Sequence, residues 1–180
     1  MNFRTHITLF NKDIHFNFGI YQAFTTWKKG ITNRCVDGQF VLFLDYDRAP
    51  LDWILDEIWL LQQQYRLGDV HIFKTAKGHH AVNTEKRPFW DVLRIMRSTS
   101  ADPLWIDWPV KYGKKAWTLR VSDKKGKPPI AYVATVPGKN MLPQSEPHNW
   151  VLRNVYGLRI SKKRDDGEKG FYESEYPLSE

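Results

Sequence analysis

Asp45 and Asp47 close the apolar run QFVLFLDYD (Gln39–Asp47), two residues apart. Side chains alternate along an extended strand, so both carboxylates share one face. Two like charges so close are costly unless one is protonated or a cation stands between them. Mg²⁺ and Mn²⁺ take oxygen ligands, often one or two carboxylates plus substrate phosphates. The pair therefore predicts divalent-metal chemistry on a phosphate-bearing substrate. The plainer alternative is two solvated residues opening a turn.

Two further stretches carry reactive residue types. TAKGHHAV (Thr75–Val82) leaves one strand and enters another, with Gly78 allowing a tight turn and close backbone approach. Lys77 and a histidine there would meet phosphate oxygens. His79 and His80 alternate faces, so one of them faces the site and the other packs elsewhere. WIDWPVKYGKKAWTLRVSDKKGK (Trp105–Lys127) places Asp107 on what reads as a strand, paired with the strand bearing Arg120. Asp107 would complete a metal triad with Asp45 and Asp47, and Asp102, in the loop before Pro103, competes for that place. Arg120 and Lys124 would face phosphates, Arg as a bidentate donor and Lys as a point charge. Trp105, Trp108 and Trp117 alternate with charge here, and either stack bases or fill the core.

The elements that must position these residues follow from periodicity. The run ending at Asp47 reads as a buried central strand. Pro50 suits a first helical position, and Leu51, Ile54, Leu55, Ile58, Leu61 and Tyr65 recur at helical spacing until Gly68. Residues 69–78 read as a strand entering a turn, and about 88–97 as a helix with Phe89, Val92, Leu93 and Met96 on one face. LWIDWPV and AWTLRVS read as a hairpin turning at Tyr112-Gly113, and AYVATVP as a further strand. Residues 1–36 alternate irregularly and give no clear pattern, and the acidic last ten residues are expected to fray. The order predicts an α+β fold, an antiparallel or mixed sheet covered by helices. We expect a single domain over residues 1–180, with an N-terminal α/β part (about 1–38), a motif-bearing core (39–135) and a C-terminal extension (136–180).

Composition sets the frame. The 180 residues suit one domain, and 42% hydrophobic with 14% aromatic content argues against disorder. No apolar run approaches the ~18 residues of a membrane helix, and MNFRTHITLF lacks a secretory pattern, so a cytoplasmic location is expected. One cysteine, Cys35, cannot make an internal disulfide or a Cys-based zinc site. The net charge of +7 is uneven: residues 108–164 hold 13 basic and two acidic residues, leaving 14 basic and 18 acidic elsewhere. Such a basic half, with Lys111, Lys114, Lys115, Lys125 and Lys127, suits a nucleic-acid backbone.

Taken in order, D-Y-D at a strand end, K-G-H-H about 30 residues on, I-D, then L-R and K resemble the archaeo-eukaryotic primase superfamily, over about residues 40–127. That family's strand-end DxD matches Asp45 and Asp47. Its R/K-G-x-H turn matches Lys77, Gly78 and His80, its hydrophobic-Asp matches Ile106-Asp107, and a downstream Arg matches Arg120. The Ser or Thr usual two residues before the histidine is Gly78 here, and no zinc module accompanies the motifs. The resemblance implies a sheet like that of RNA-recognition motifs in a primase-type catalytic core. It further implies template-directed nucleotidyl transfer with two Mg²⁺ or Mn²⁺ ions held by Asp45, Asp47 and Asp107. Lys77, His80, Arg120 and Lys124 would bind a ribo- or deoxyribonucleoside triphosphate. The partners expected are a single-stranded DNA template and a separate helicase or replication protein, in a virus, plasmid or mobile element; no membrane is expected.

Other families share parts of the pattern. Haloacid-dehalogenase-like phosphatases follow DxD with a Gly/Thr or Gly/Val turn, whereas Arg48-Ala49-Pro50 follows here, and DxD glycosyltransferases are mostly longer. A rolling-circle endonuclease needs a His-hydrophobic-His pair, and His71 and His79 are the only close spaced pair. A non-catalytic replication-initiation or single-strand-binding protein on the same fold is the alternative to an enzyme.

Overall fold

The computed structural model describes residues 2–9, 12–19, 30–120, 128–158 and 172–173. It is a mixed α+β fold with antiparallel sheets. A hairpin, β1 (Asn2–Leu9) and β2 (Lys12–Gly19), comes first. Then follow β3 (Gly30–Thr32), β4 (Phe40–Asp47), α1 (Leu51–Tyr65), β5 (Val70–Lys74), β6 (Gly78–Arg87), α2 (Phe89–Arg97) and α3 (Pro103–Lys111). The remaining elements are β7 (Thr118–Arg120), β8 (Ala131–Val136), α4 (Glu146–Asn154) and β9 (Tyr172–Glu173). Among the described residues no helix is long and apolar enough to cross a membrane.

The main sheet has the order β4-β6-β5-β8-β9, and β3 pairs with β7 in a separate two-stranded sheet. Both faces of the main sheet are buried. Leu42, Leu44, Ile72 and Ala81 face one core with Ile54 and Ile58 of α1, Val92 and Met96 of α2, and Ile106 of α3. Val41, Phe43, Phe73 and Val82 face the other, with Leu119 of β7, Leu152 of α4, Tyr156 and Leu158. Double-sided burial explains why these strands read as continuous apolar runs.

The structure differs from the periodicity reading in two places that matter. β4 is buried but stands at the edge of the main sheet. Its outer side is closed by the segment before it and by a later loop: Val41 N–H donates to Asn33 O (2.9 Å), and Asp102 N–H to Asp45 O (2.8 Å). An edge covered in this way is protected from further pairing. The second difference is the segment read as a strand through Asp107, which is the helix α3. Asp102 caps it, accepting from Leu104 N–H (2.9 Å), and Pro103 occupies its first turn. β7 consequently finds its partner in β3, not in residues 104–110.

A buried carboxylate fixes the far end of the sheet. Glu85 accepts from the N–H groups of Gly68 (3.1 Å), Met141 (2.7 Å) and Leu142 (3.2 Å) and from Arg87 (2.8 Å). Burial pushes its carboxyl up, but Arg87 and the three N–H groups outweigh that and hold it below its usual range.

The turn between β5 and β6 is closed by Thr75 N–H donating to Gly78 O (2.9 Å) and by Gly78 N–H donating to Thr75 Oγ1 (3.1 Å). Gly78 lies opposite Asp47, where a Cβ would run into the Tyr46 carbonyl. A Gly78→Ala variant must therefore push β4 and β6 apart, and we expect a loss of about 2 kcal/mol in urea denaturation. Wild-type stability in that variant would show that the strands can separate there without cost.

Candidate active site

The β4–β6 register places Asp45 opposite His80 and Tyr46 opposite His79. His80 continues across to Phe73, and His79 to Lys74. The two faces therefore carry different chemistry. Asp45 and His80 share the face of Phe43, Phe73 and Val82, while Tyr46 and His79 share the helix-covered face of Leu44 and Ala81. The adjacent histidines are separated by the sheet itself. His71, in step with Phe73, is likewise on the opposite face from His79, so that spaced pair does not converge.

Asp45 is the centre of the first cluster. His80 Nε2 stands 3.6 Å from its Oδ1, which is charge proximity without a hydrogen bond. Burial, then Asp47, then Asp102 push the Asp45 carboxyl up to about 6, while Arg120 pulls it the other way. Burial, Arg120 and His79 lower His80 to about 4. At pH 7 the pair is thus a carboxylate beside a neutral imidazole. Tyr156 completes the wall: its hydroxyl donates to Arg120 O (2.7 Å), and burial chiefly raises its phenol.

Two buried donors or acceptors in this cluster lack partners, His80 Nδ1 and Arg120 NH1. Such orphan groups in a native fold call for an explanation, and a ligand is one. Asp45 and Asp47 also fit a hard cation, because a cation would offset both the burial and the repulsion that raise the Asp45 carboxyl. Among the described residues no three His, Cys, Asp or Glu side chains form a ready-made metal site. The protein's share would then be the paired carboxylates, with phosphate and water oxygens supplying the rest.

The other residues singled out by sequence fall as follows. Asp102, the competing third carboxylate, is brought to the pair, because its N–H holds the Asp45 carbonyl and its charge acts on Asp45. Asp107 is not brought there. On α3 it points to solvent, 58% exposed, and takes Arg97 Nε (3.0 Å) and NH2 (2.8 Å). Arg120 joins the cluster from β7. Lys77 lies at the turn beside His79, lining a cavity with Arg48 and Lys74. Lys111, at the end of α3, and Lys114, after it, are exposed, and Lys115 Nζ sits 5.9 Å from the centre of the Phe89 ring. Lys124, Lys125 and Lys127 lie outside the described residues. Trp117 is core, donating to Ile106 O (3.0 Å) and stacked on Phe89; Trp105 is half-buried, and Trp108 is exposed against Tyr112. Sequence reasoning missed Tyr156; its spacing carried no signal, since only packing of the chain after α4 brings it to Arg120.

The two signs of shift predict opposite pH effects. His71, His79 and His80 are each lowered to about 4, chiefly by burial. Their contribution to stability is present above about 6.5 and is lost as pH falls toward 4. Asp45 is raised, so its contribution is present below about 4 and is lost as pH rises through 6. Asp45→Asn should therefore stabilise the ligand-free protein by roughly 1–3 kcal/mol at pH 7.5, with the gain vanishing near pH 4 in urea melts. A variant equally destabilised at both pH values would show a carboxylate held by partners. In comparisons with known proteins, no family model, curated protein or solved structure matches this chain.

Proposed function

We propose that this protein is a template-directed nucleotidyltransferase of primase type, working in DNA replication with Asp45, Asp47 and Asp102 as its acidic centre. One observation carries the reading: a strand-end carboxylate pair whose inner member has its proton affinity raised by burial and by like charges, in one cluster with Arg120 and His80, whose NH1 and Nδ1 lack partners. Anionic oxygens on one side and unsatisfied nitrogen groups on the other suit a metal-bound triphosphate. The strand-end DxD, the K-G-x-H turn and the downstream arginine support the same reading through their resemblance to the archaeo-eukaryotic primases. So does the antiparallel main sheet that carries the first two, which on this reading corresponds to the RNA-recognition-motif-like sheet of that family's core.

Asp45 and Asp47 would hold Mg²⁺ or Mn²⁺. When bound, such ions activate the attacking hydroxyl and neutralise the leaving pyrophosphate. Arg120, anchored through its carbonyl by Tyr156, would hold phosphate oxygens with a donor that has no competing partner. His80, neutral at pH 7, would orient the substrate against Asp45 without adding charge. Asp102 ties the β4 edge by its backbone and adds negative charge beside the pair. The basic half of the chain would run along the template backbone, so strand binding should weaken steeply with salt.

Primer synthesis and extension on single-stranded DNA, with Mg²⁺ or Mn²⁺, test the proposal. Asp45→Ala with Asp47→Ala should remove activity, Arg120→Ala should lower it roughly 10²-fold, and Asp107→Ala should leave it near wild type. Activity that survives the double Asp change would overturn the reading. A wild-type protein that binds strands without extending them, regardless of metal, would make it a non-catalytic binding module.

A further inference from the structure

The helix-covered face of the sheet holds a cavity of about 440 Å³ at the start of α1. Arg48, Lys74, Lys77 and His79 line it, with Pro50 and Leu51 of the helix entrance. Three side-chain cations thus meet with no carboxylate in the lining. Among the described residues none of the three has an acidic partner within ion-pair distance. Asp47 and Asp52 are close in the chain, but neither lines the cavity. α1 is 15 residues long, and its N-cap, Pro50, offers no capping side chain. The N–H groups of its first turn therefore keep their attraction for an anion. Arg48 has a left-handed backbone (φ 61°) and donates its N–H to Lys77 O (3.0 Å), so the two cation-bearing turns are tied together.

His79 supplies an independent observation. It lines the cavity and is only 4% exposed, bonded to the Ala49 backbone through its ring, yet its Nδ1 has no partner. An oxyanion bound between the cations would give that nitrogen a partner, with a proton held between them. The volume suits a nucleotide-sized group.

We propose that this cavity binds a phosphate group, of a free nucleotide or of a nucleic-acid strand, through Arg48, Lys74, Lys77, His79 and the N-terminus of α1. This site is separate from the Asp45 cluster: it lies on the other face of the sheet and needs no metal. Lys77 serves it rather than the carboxylate pair.

The test is a titration of the full chain, carrying ¹⁵N-labelled histidine, with inorganic phosphate. The His79 Nδ1 signal should shift on saturation. Lys74→Ala with Lys77→Ala, both exposed positions, should weaken binding at least tenfold with unchanged thermal unfolding. Asp45→Asn with Asp47→Asn should leave phosphate binding intact even where it abolishes nucleotide transfer. Failure of the transferase reading is thereby separable from failure of this one. Displacement of phosphate by a nucleoside triphosphate assigns the site to free nucleotide. Displacement by an oligonucleotide without terminal phosphate assigns it to the strand. Displacement by neither, an unmoved His79 signal, unweakened binding in the lysine variant, or loss of binding in the aspartate variant would each overturn the proposal.

Discussion

Everything at the candidate site depends on the register between β4 and β6. Asp45 meets His80, Tyr46 meets His79, and Asp47 meets Gly78. Because side chains alternate, a slip of one residue would exchange the two faces entirely. It would carry Asp45 into the core with Ile54 and Ile58 and bring Tyr46 to Arg120. Both faces are buried, so both oppose the slip. Gly78 closes the register from its end, since the Tyr46 carbonyl leaves no room for a side chain there.

Two carboxylates in the same sheet illustrate how structure and function separate. Glu85 is fully buried, yet three backbone N–H groups and Arg87 satisfy it, and its carboxyl is held low. Asp45 is less buried, yet it faces Asp47 and Asp102 and has no hydrogen-bond donor to its side chain among the described residues, and its carboxyl is held high. Burial works against both charges. Only Glu85 has been given the donors that offset it. The fold solves this problem at one end of a strand pair and leaves it open at the other, and on the proposed reading the open end is where the ligand sits. The same contrast applies to two buried ring nitrogens without partners, His80 Nδ1 and His79 Nδ1, on opposite faces of the sheet.

Much of the architecture was legible locally. The apolar run ending in Asp47, the 3.6-residue spacing from Leu51 to Tyr65, the strand at residues 70–74 and the helix after Pro88 each carry enough periodicity to define themselves. α3 did not, and the reason is physical. Leu104, Trp105, Ile106, Trp108 and Val110 are dense enough to satisfy either a buried strand or a helix. The deciding signal is the Asp102-Pro103 pair, a capping residue followed by a first-turn proline. Asp102 reads from sequence either as a third metal ligand or as a turn residue before Pro103, and its capping bond to Leu104 N–H fits the second.

The sequence by itself determined the residue types, the shared face of Asp45 and Asp47, the division between His79 and His80, and the uneven charge. Each of these follows from covalent order and the two-residue period of a strand. Tertiary structure decided which carboxylate joins the pair, which histidine faces it, and which lysines and arginines stand on which side. Asp102 reaches β4 because an edge strand must have its carbonyls satisfied, and the loop before α3 does this. Arg120 arrives by pairing β7 with β3, across almost ninety residues of chain. Those contacts are set by which surfaces must be covered and which backbone groups must be paired. Such demands arise only when distant segments meet.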